Sequence, residues 1–392
     1  MTQITGSALI IGAGIGGAAT AVALARAGWK VRLFERAKEI AEVGAGLQIS
    51  PNGVKALEAL GLAEGARVAA VAPEAAVMCD GITGFEILRL PLGDAAVDRW
   101  GAAYLHLHRA DLLSLLLDAA LDAGVELTQG REVTGFPDDG HGPVTCSDGS
   151  EETADLVVVA CGVRSGLIHD EPTFGGQVAW RALVDASRLP EGLIKCEATV
   201  WAGPRRHLVT YLLRGGSLVN VVAVEDRRAW VAEGWAQRGD IFDLAHSFKR
   251  WDERIVQLID AVEECYLWGL FERQVPEALN NGSRVLIGDA AHPMLPFMAQ
   301  GATMAVEDAV VLRNCLAGAP VAEALERFNA LRRPRVVRAQ EASRENARLF
   351  HLSSGVDRML HQGPIAFASR LMPSVAAGRL DWLYGHDVRA DE

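Results

Sequence analysis

Three groups of residues in this chain have types and spacings that can do chemistry. The first is GAGIGG at 12–17, with a carboxylate, Glu35, further on. An apolar run (Ser7–Ile11) precedes the glycines. An Ala-rich run at 18–27 and a second apolar run at 30–34 separate them from the acid. Strand, glycine turn, helix, strand, acid is the order that binds a dinucleotide. Gly12 permits the tight turn, Gly14 lets backbone approach a pyrophosphate, and Gly17 lets helix and strand pack closely. With Ile15 and Gly16 these form the candidate cradle. Glu35, at a strand end, can accept from ribose hydroxyls, which favours an adenosine ribose without a 2′-phosphate. The second group lies in RVLIGDAAHPMLPFMAQGATMAVEDA, residues 284–309. A buried strand there ends in Asp289. Pro293 and Pro296 stiffen the loop that follows, and Gln300-Gly301 opens a helix over 302–316. A helix N-terminus carries partial positive charge and free N–H groups, so it suits an anionic partner in the gap. The third group is His207 and Tyr211, four apart on a strand candidate and so on one side of it. An imidazole can take a phenolic proton near neutral pH, and a tyrosine can orient the donor. From the residues alone, a loop-edge histidine and a core aromatic is the favoured reading.

These groups need a scaffold, and the bulk numbers bound it. A chain of 392 residues exceeds one ordinary core and implies two domains, or one with a large insertion. Half the residues are apolar and 22% are charged, a globular balance. A net charge of −12 argues against nucleic acid or an anionic membrane as the main partner. The six cysteines, 79, 146, 161, 196, 265 and 315, have no metal or redox spacing, and read as free thiols in a reducing cytoplasm. The apolar stretch 8–29 is broken by glycines and has no basic start, so neither a signal peptide nor a membrane span is expected.

In order, the loop at 43–53, VGAGLQISPNG, reads as irregular and functional, with Gly44 and Gly46 giving close approach to a flat ligand and Gln48 pointing into the gap. A helix is expected over 54–62, strands within 75–92, and a Leu-rich helix over 112–123 behind Arg109. Arg109 is either a surface cap or a fork reaching a pyrophosphate. Residues 155–165, DLVVVACGVRS, form a buried strand running into a turn. After Pro172 the texture becomes antiparallel, with strands near 177–184, 195–201, 207–213 and 217–224. The nucleotide-binding pattern resumes at Arg284. A long Arg-rich helical region over 321–352, interrupted near Pro334, carries no assigned chemistry. His292 reads as structural or cofactor-adjacent, and His106 and His108 as satisfied structural histidines. The expected fold is α/β, a Rossmann-like dinucleotide domain split by an inserted antiparallel-sheet substrate domain, with C-terminal helices. Its parts run 1–72, 101–171 and 276–350. Residues 73–100 add strands to the substrate domain at 172–275, and 351–392 pack on the body.

Taken together, GAGIGG, the 155–165 strand-turn, GDAAHPMLPFMAQGA, GAGLQISPN and HRADL resemble the single-component FAD-dependent aromatic hydroxylases. These include salicylate hydroxylase, 3-hydroxybenzoate 6-hydroxylase and 6-hydroxynicotinate 3-monooxygenase. The resemblance covers residue 7 to about 350. It implies that Glu35 holds the adenosine ribose with Arg36 beside the adenine, and that Arg109 contacts the pyrophosphate region. It implies that Asp289 binds the ribityl chain, Pro296 borders the flavin, and Gly301 and Ala302 present N–H groups to its pyrimidine edge. Trp180-Arg181 falls where the family has an aromatic–Arg pair.

The implied reaction takes hydride from NADH or NADPH, forms a 4a-hydroperoxyflavin with O2, and hydroxylates a hydroxylated aromatic or N-heteroaromatic ring, with a carboxylic acid the favoured substrate. His207 and Tyr211 would be catalytic. Leu295, Phe297 and Met298 would keep water out, and Arg181 would meet the substrate. One departure stands out: Ala160-Cys161-Gly162 replaces the family's Ala-Asp-Gly, and Cys161 cannot supply that carboxylate. A related FAD epoxidase, an oxidase-like dehydrogenase and an FAD-binding protein of low turnover stay open as alternatives. So do the ring position, the nicotinamide cofactor and the oligomeric state, with a homodimer as one option.

Overall fold

The computed structural model describes residues 6–40, 45–168, 170–230, 237–371 and 373–391. The strand Ser7–Ile11 turns at Gly12 into the helix Ile15–Arg26, which leads to the strand Lys30–Glu35. Both strands sit inside a six-stranded sheet of order 280–281, 284–286, 156–159, 7–11, 30–35, 126–129. All its pairings are parallel except the outer hairpin formed by Asn280–Asn281 and Arg284–Leu286. Parallel sheets need both faces covered. Ala8, Ile10 and Leu33 join a core built with the helices, and Leu9, Ile11 and Phe34 face the opposite way against Val133 and Val144 of a small three-stranded sheet. Gly12, Glu35 and Ala160 follow or end parallel strands at their carboxyl edge, and Asp289 lies just beyond another, where open α/β sheets bind ligands.

The second sheet has seven strands in the order 266–272, 173–185, 218–226, 206–213, 197–203, 75–80, 86–91. It is antiparallel apart from the pair Glu197–Gly203 with Ala75–Asp80. Alternation divides its faces. Val178, Trp180 and Ala182 pack on one side with Leu244 and Phe248 of the helix Ile241–Phe248 and Ile255 and Leu258 of the helix Glu253–Asp260. Ala179, Val224, Trp268 and Leu270 look the other way, toward Leu295, Phe297 and Phe350. Among the described residues, no helix is long and apolar enough to cross a membrane.

Two expectations fail here. Residues 46–53 are not an irregular loop: Gly46–Ile49 is a strand paired with Leu105–His108, and Pro51 starts the helix Pro51–Ala59. The backbone here runs through the interior, so its polar groups must find partners, and Gly46 N donates to Asn220 Oδ1 at 2.7 Å. Gly44 lies outside the described residues. The helix Val321–Phe350 also runs unbroken through Pro334. Phe328, Val336 and Ala339 are all fully buried around the proline, and this packing outweighs the missing donor.

The arginines of that helix are more than a solvated face. Arg332 is fully buried and donates to Glu307 Oε2 and Asp308 Oδ1, each at 2.7 Å. Arg335 binds the same Glu307. Glu307 in turn accepts from Asn52 at 2.7 Å, and Asp308 Oδ2 accepts from the Gly288 amide at 2.9 Å and contacts His292 Nε2 at 2.7 Å. Burial pushes both carboxyls up, but Arg332 with Arg335 for Glu307, and His292 with Arg332 for Asp308, hold them below the ordinary range. A folded pKa below the unfolded one gives stability that is complete above pH ~4.3 and lost as pH falls further. Arg332→Met removes the cation shared by two buried carboxylates and is expected to cost about 3–5 kcal/mol, read from the urea midpoint at pH 7. The loss should shrink in acid as the carboxyls protonate.

Candidate active site

A cavity of about 1370 Å³ lies between the carboxyl edge of the six-stranded sheet and the open face of the seven-stranded one. Gly14, Ile15 and Gly16 form part of its wall. An added Cβ on Gly17 would stand 1.8 Å from Gly12 O, and one on Gly12, whose φ is 103°, would stand 2.5 Å from Ala160 O. A Cβ on Gly14 would meet nothing within 4 Å. So Gly12 and Gly17 are required by the chain's own packing, while Gly14 leaves bare backbone open to the cavity. That bare turn, at the head of a helix, fits a pyrophosphate. Glu35 is held by the amides of Ala13 and Ala37, at 2.9 Å to each carboxylate oxygen. A carboxylate has about four acceptor positions, so room remains for ribose hydroxyls. Glu35 and the exposed Arg36 lie off the cavity wall.

Asp289, Gly301, Ala302 and Arg109 line the same cavity. Arg109 opens the helix Arg109–Asp122, with its amide donating to Ala45 O. The helix Gly301–Leu316 begins after Ala299, which holds a left-handed φ of 52°. Its first amides have no intrahelical acceptor. Gln300 anchors this start, donating to Ser50 Oγ at 2.8 Å and accepting from Asn52 at 3.2 Å. The preceding loop is held from the helix Val321–Phe350. Gln340 donates to Pro293 O at 2.7 Å, Ser343 to Leu295 O at 2.5 Å, and Asn346 to Phe297 O at 3.0 Å. With its carbonyls fixed behind it, the loop sets Leu295, Pro296, Phe297 and Met298 on the cavity wall. Buried Arg273, unmarked in the sequence, ties the loop's start through Ala290 O at 2.6 Å.

The open face of the seven-stranded sheet presents His207, Val209 and Tyr211 to the cavity. His207 and Tyr211 share a face as their spacing requires, roughly 13 Å apart along the strand. His207 is 1% exposed. It sits against Phe297 and Phe350, with ring centroids at 5.0 and 5.3 Å. Burial, with His351 beside it, pushes its pKa well below the usual value, so the imidazole is neutral. Burial raises the Tyr211 phenol against the opposing charge of Arg181, so it stays a hydroxyl donor. Its ring fits because residue 46 has no side chain: a Cβ there would stand 2.4 Å from it. Gln48 also lines the cavity and accepts from Tyr104 OH at 2.7 Å.

Other sequence-marked residues sort differently. Trp180 faces the helix layer, so the aromatic partner of Arg181 is Trp268 on the neighbouring strand, with the guanidinium 4.0 Å from its ring centroid. His292 is buried on Asp308, a structural role. His106 is fully buried, stacks on Tyr211 at 4.6 Å, and is pushed down by burial to about 3. Burial raises the Cys161 thiol, which suits no nucleophile, and all six cysteines are free. Sequence reasoning missed His351, whose Nε2 lies 2.7 Å from His207 Nδ1, and the reach of Trp382 and Tyr384 of the tail to the cavity.

A parallel sheet with a bare glycine turn, a carboxylate beyond a strand edge and a helix N-terminus on one cavity is the arrangement of the dinucleotide-binding class. The family described as FAD binding domain matches residues 5–343, and the chain belongs to it. It is 37% identical to 3-hydroxybenzoate 6-hydroxylase of Klebsiella oxytoca, over 96% of each chain. It is 36% identical to a 3-amino-4-hydroxybenzoate 2-monooxygenase of Streptomyces platensis, covering 97% of this chain and 96% of the other. Klebsiella pneumoniae HpxO complexed with FAD and uric acid superposes with a TM-score of 0.83 at 25% identity, over 96% and 97% of the two chains. Its curated relatives are named as hydroxylases and monooxygenases.

The two kinds of glycine give a direct test. Gly14→Val should fold with an unchanged melting temperature in the FAD-free form, yet bind FAD at least about 10-fold more weakly, a loss of about 1.4 kcal/mol by fluorescence titration. Gly17→Ala should fail to give folded protein.

Proposed function

We propose that the enzyme hydroxylates a phenol-bearing aromatic or N-heteroaromatic carboxylic acid, using a reduced nicotinamide cofactor and O2. The observation that carries this reading is the neutral, buried His207, presented by a sheet to the cavity that Gly14, Asp289 and the helix Gly301–Leu316 also wall. Bound FAD supplies the redox chemistry, accepting hydride and delivering one oxygen atom of O2 to the ring.

The chain's own residues do the rest. The amides at Gly14 and its neighbours would donate to the pyrophosphate, Arg109 would pair with it, and Glu35 would accept from the ribose hydroxyls. Asp289 would accept from the ribityl hydroxyls. The unpaired amides at Gly301 and Ala302 favour negative charge on the ring edge that they face. Leu295, Phe297 and Met298 exclude water from the reacting end. His207 removes the phenolic proton, which makes the ring electron-rich, while Tyr211 donates to the substrate and orients it. Arg181, stacked on Trp268, meets the carboxylate. In this division the six-stranded side holds FAD and residues 172–275, with the strands at 75–91, form the substrate side. The six free thiols are consistent with a cytoplasmic enzyme.

Purified protein should be yellow, and its oxidation of NADH or NADPH should be stimulated by at least one of salicylate, 3-hydroxybenzoate, 4-hydroxybenzoate and 6-hydroxynicotinate. No stimulation by any phenol or hydroxypyridine acid would sink the proposal. His207→Asn should lower hydroxylation about 10²–10⁴-fold while FAD stays bound. Because the His207 pKa is depressed, the base form persists in mild acid. The acid limb of kcat/KM should therefore fall below the ordinary histidine value of ~6.5 in a pH-rate profile.

A further inference from the structure

His207 is the inner end of a row. Its Nδ1 lies 2.7 Å from His351 Nε2, and His351 Nδ1 lies 2.6 Å from Asp226 Oδ1. The row runs outward: His207 is 1% exposed, and the side chains of His351 and Asp226 are 6% and 28% exposed. Its proton positions are set from the outer end. Burial pushes the Asp226 carboxyl up, but His351, Gln177 and Arg205 outweigh it and hold it below the usual range. An ionised carboxylate only accepts, so the proton of the outer contact belongs to His351 Nδ1. When the His351 ring carries that one proton alone, its lone pair is on Nε2, and the proton of the inner contact belongs to His207 Nδ1. The His207 lone pair is left on Nε2, the nitrogen remaining for the cavity that this residue lines.

The backbone fixes the row. Arg205 N donates to His351 O at 3.2 Å, and Asp226 N donates to Arg205 O at 3.1 Å. Arg205 adopts a left-handed φ of 57°, a conformation kept only where surroundings enforce it. One turn residue thus ties both outer members to the strand that carries His207. Gln177 Nε2 donates to Asp226 Oδ1 at 3.2 Å, which steadies the carboxylate at the outer contact.

Resting on the reading of His207 as base, we propose that His351 and Asp226 are positioning residues that fix its tautomer and carry its proton to water. The substrate O–H bond breaks and the proton goes to His207 Nε2. The His207 Nδ1 proton moves to His351 Nε2, and the His351 Nδ1 proton moves to Asp226 Oδ1 and on to solvent. No added charge stays on the histidines between Phe297 and Phe350. The reverse passage, from water through Asp226, reprotonates the product oxygen and restores both tautomers. The charged groups around the row are Arg205 at Asp226, Glu225 paired with Arg206 and Arg227 alongside it, and Glu345 and Arg348 on the cavity wall.

The test uses FAD-loaded protein with ¹⁵N-labelled histidine, read by NMR. Wild-type His207 should carry its proton on Nδ1, and Asp226→Asn, whose amide can also donate, should shift both His207 and His351 toward mixed tautomers. A wild-type His207 protonated on Nε2, or tautomers unmoved by the substitution, would overturn the row. In turnover with 3-hydroxybenzoate as the probe, Asp226→Asn and His351→Gln should each lower kcat about 10²-fold with KM within about 3-fold. Asp226→Asn should also move the acid limb to lower pH, because an anion near His207 is gone. Unchanged kcat and acid limb in both variants would overturn the proton path. A wild type that keeps the tautomer order yet turns over no phenol supports the row and sinks the substrate proposal instead.

Discussion

The ion pair on which the rest depends is Arg332 with Glu307 and Asp308, sealed from water in the body of the protein. Its two carboxylates sit side by side on one helix and reach in different directions. Asp308 takes the Gly288 amide and His292, which fixes the chain just before and after Asp289. Glu307 takes Asn52, which with Gln300 and Ser50 fixes the start of the helix Gly301–Leu316. One guanidinium therefore holds in register a strand end, a proline loop and a helix terminus. Charges buried this way are costly unless every oxygen and N–H has a partner, and that requirement leaves the segments little freedom to shift independently.

Around this fixed point the cavity is divided by polarity. Its cofactor end is made of backbone and charged or polar groups: Gly14, Asp289, Arg109 and the first amides of a helix. Its other end is made of Leu295, Phe297, Val209 and Phe350, with His207 and Tyr211 as the polar groups on that strand. Desolvation acts on these two in opposite chemical senses. It strips His207 of its charge and keeps Tyr211 a hydroxyl. One acceptor and one donor thus stand on a single strand in an apolar setting, where each hydrogen bond counts for more than in water.

The fold class, the family and the cofactor were legible because their signals are local. A glycine that must avoid a carbonyl, an acid at a strand end and a proline before a helix each announce themselves within a few residues. What was hidden depends on partners far along the chain. Gly46–Ile49 looked like a loop because its pairing partner is Leu105–His108 and its glycine is explained by Tyr211. Arg332 looked like its exposed neighbours, since helical spacing does not reveal which arginine faces two buried carboxylates. Trp180 looked like the partner of Arg181 by adjacency, yet consecutive strand residues point apart. His351 carried no mark at all, being the residue where a long helix happens to end beside a β-turn.

The chamber also has a history in time. Its walls draw on residues from Gly14 through Tyr384, and the last of these are held to the body by Arg99 and Trp100 on Asp381 and by Lys55 on the Gly385 carbonyl. During synthesis the glycine turn that receives the cofactor emerges first, and the tail that closes the far wall emerges last. The residues of the cradle are therefore made long before those that close the chamber. The enclosed form, built on contacts between distant parts of the sequence, arises only once translation has passed the tail.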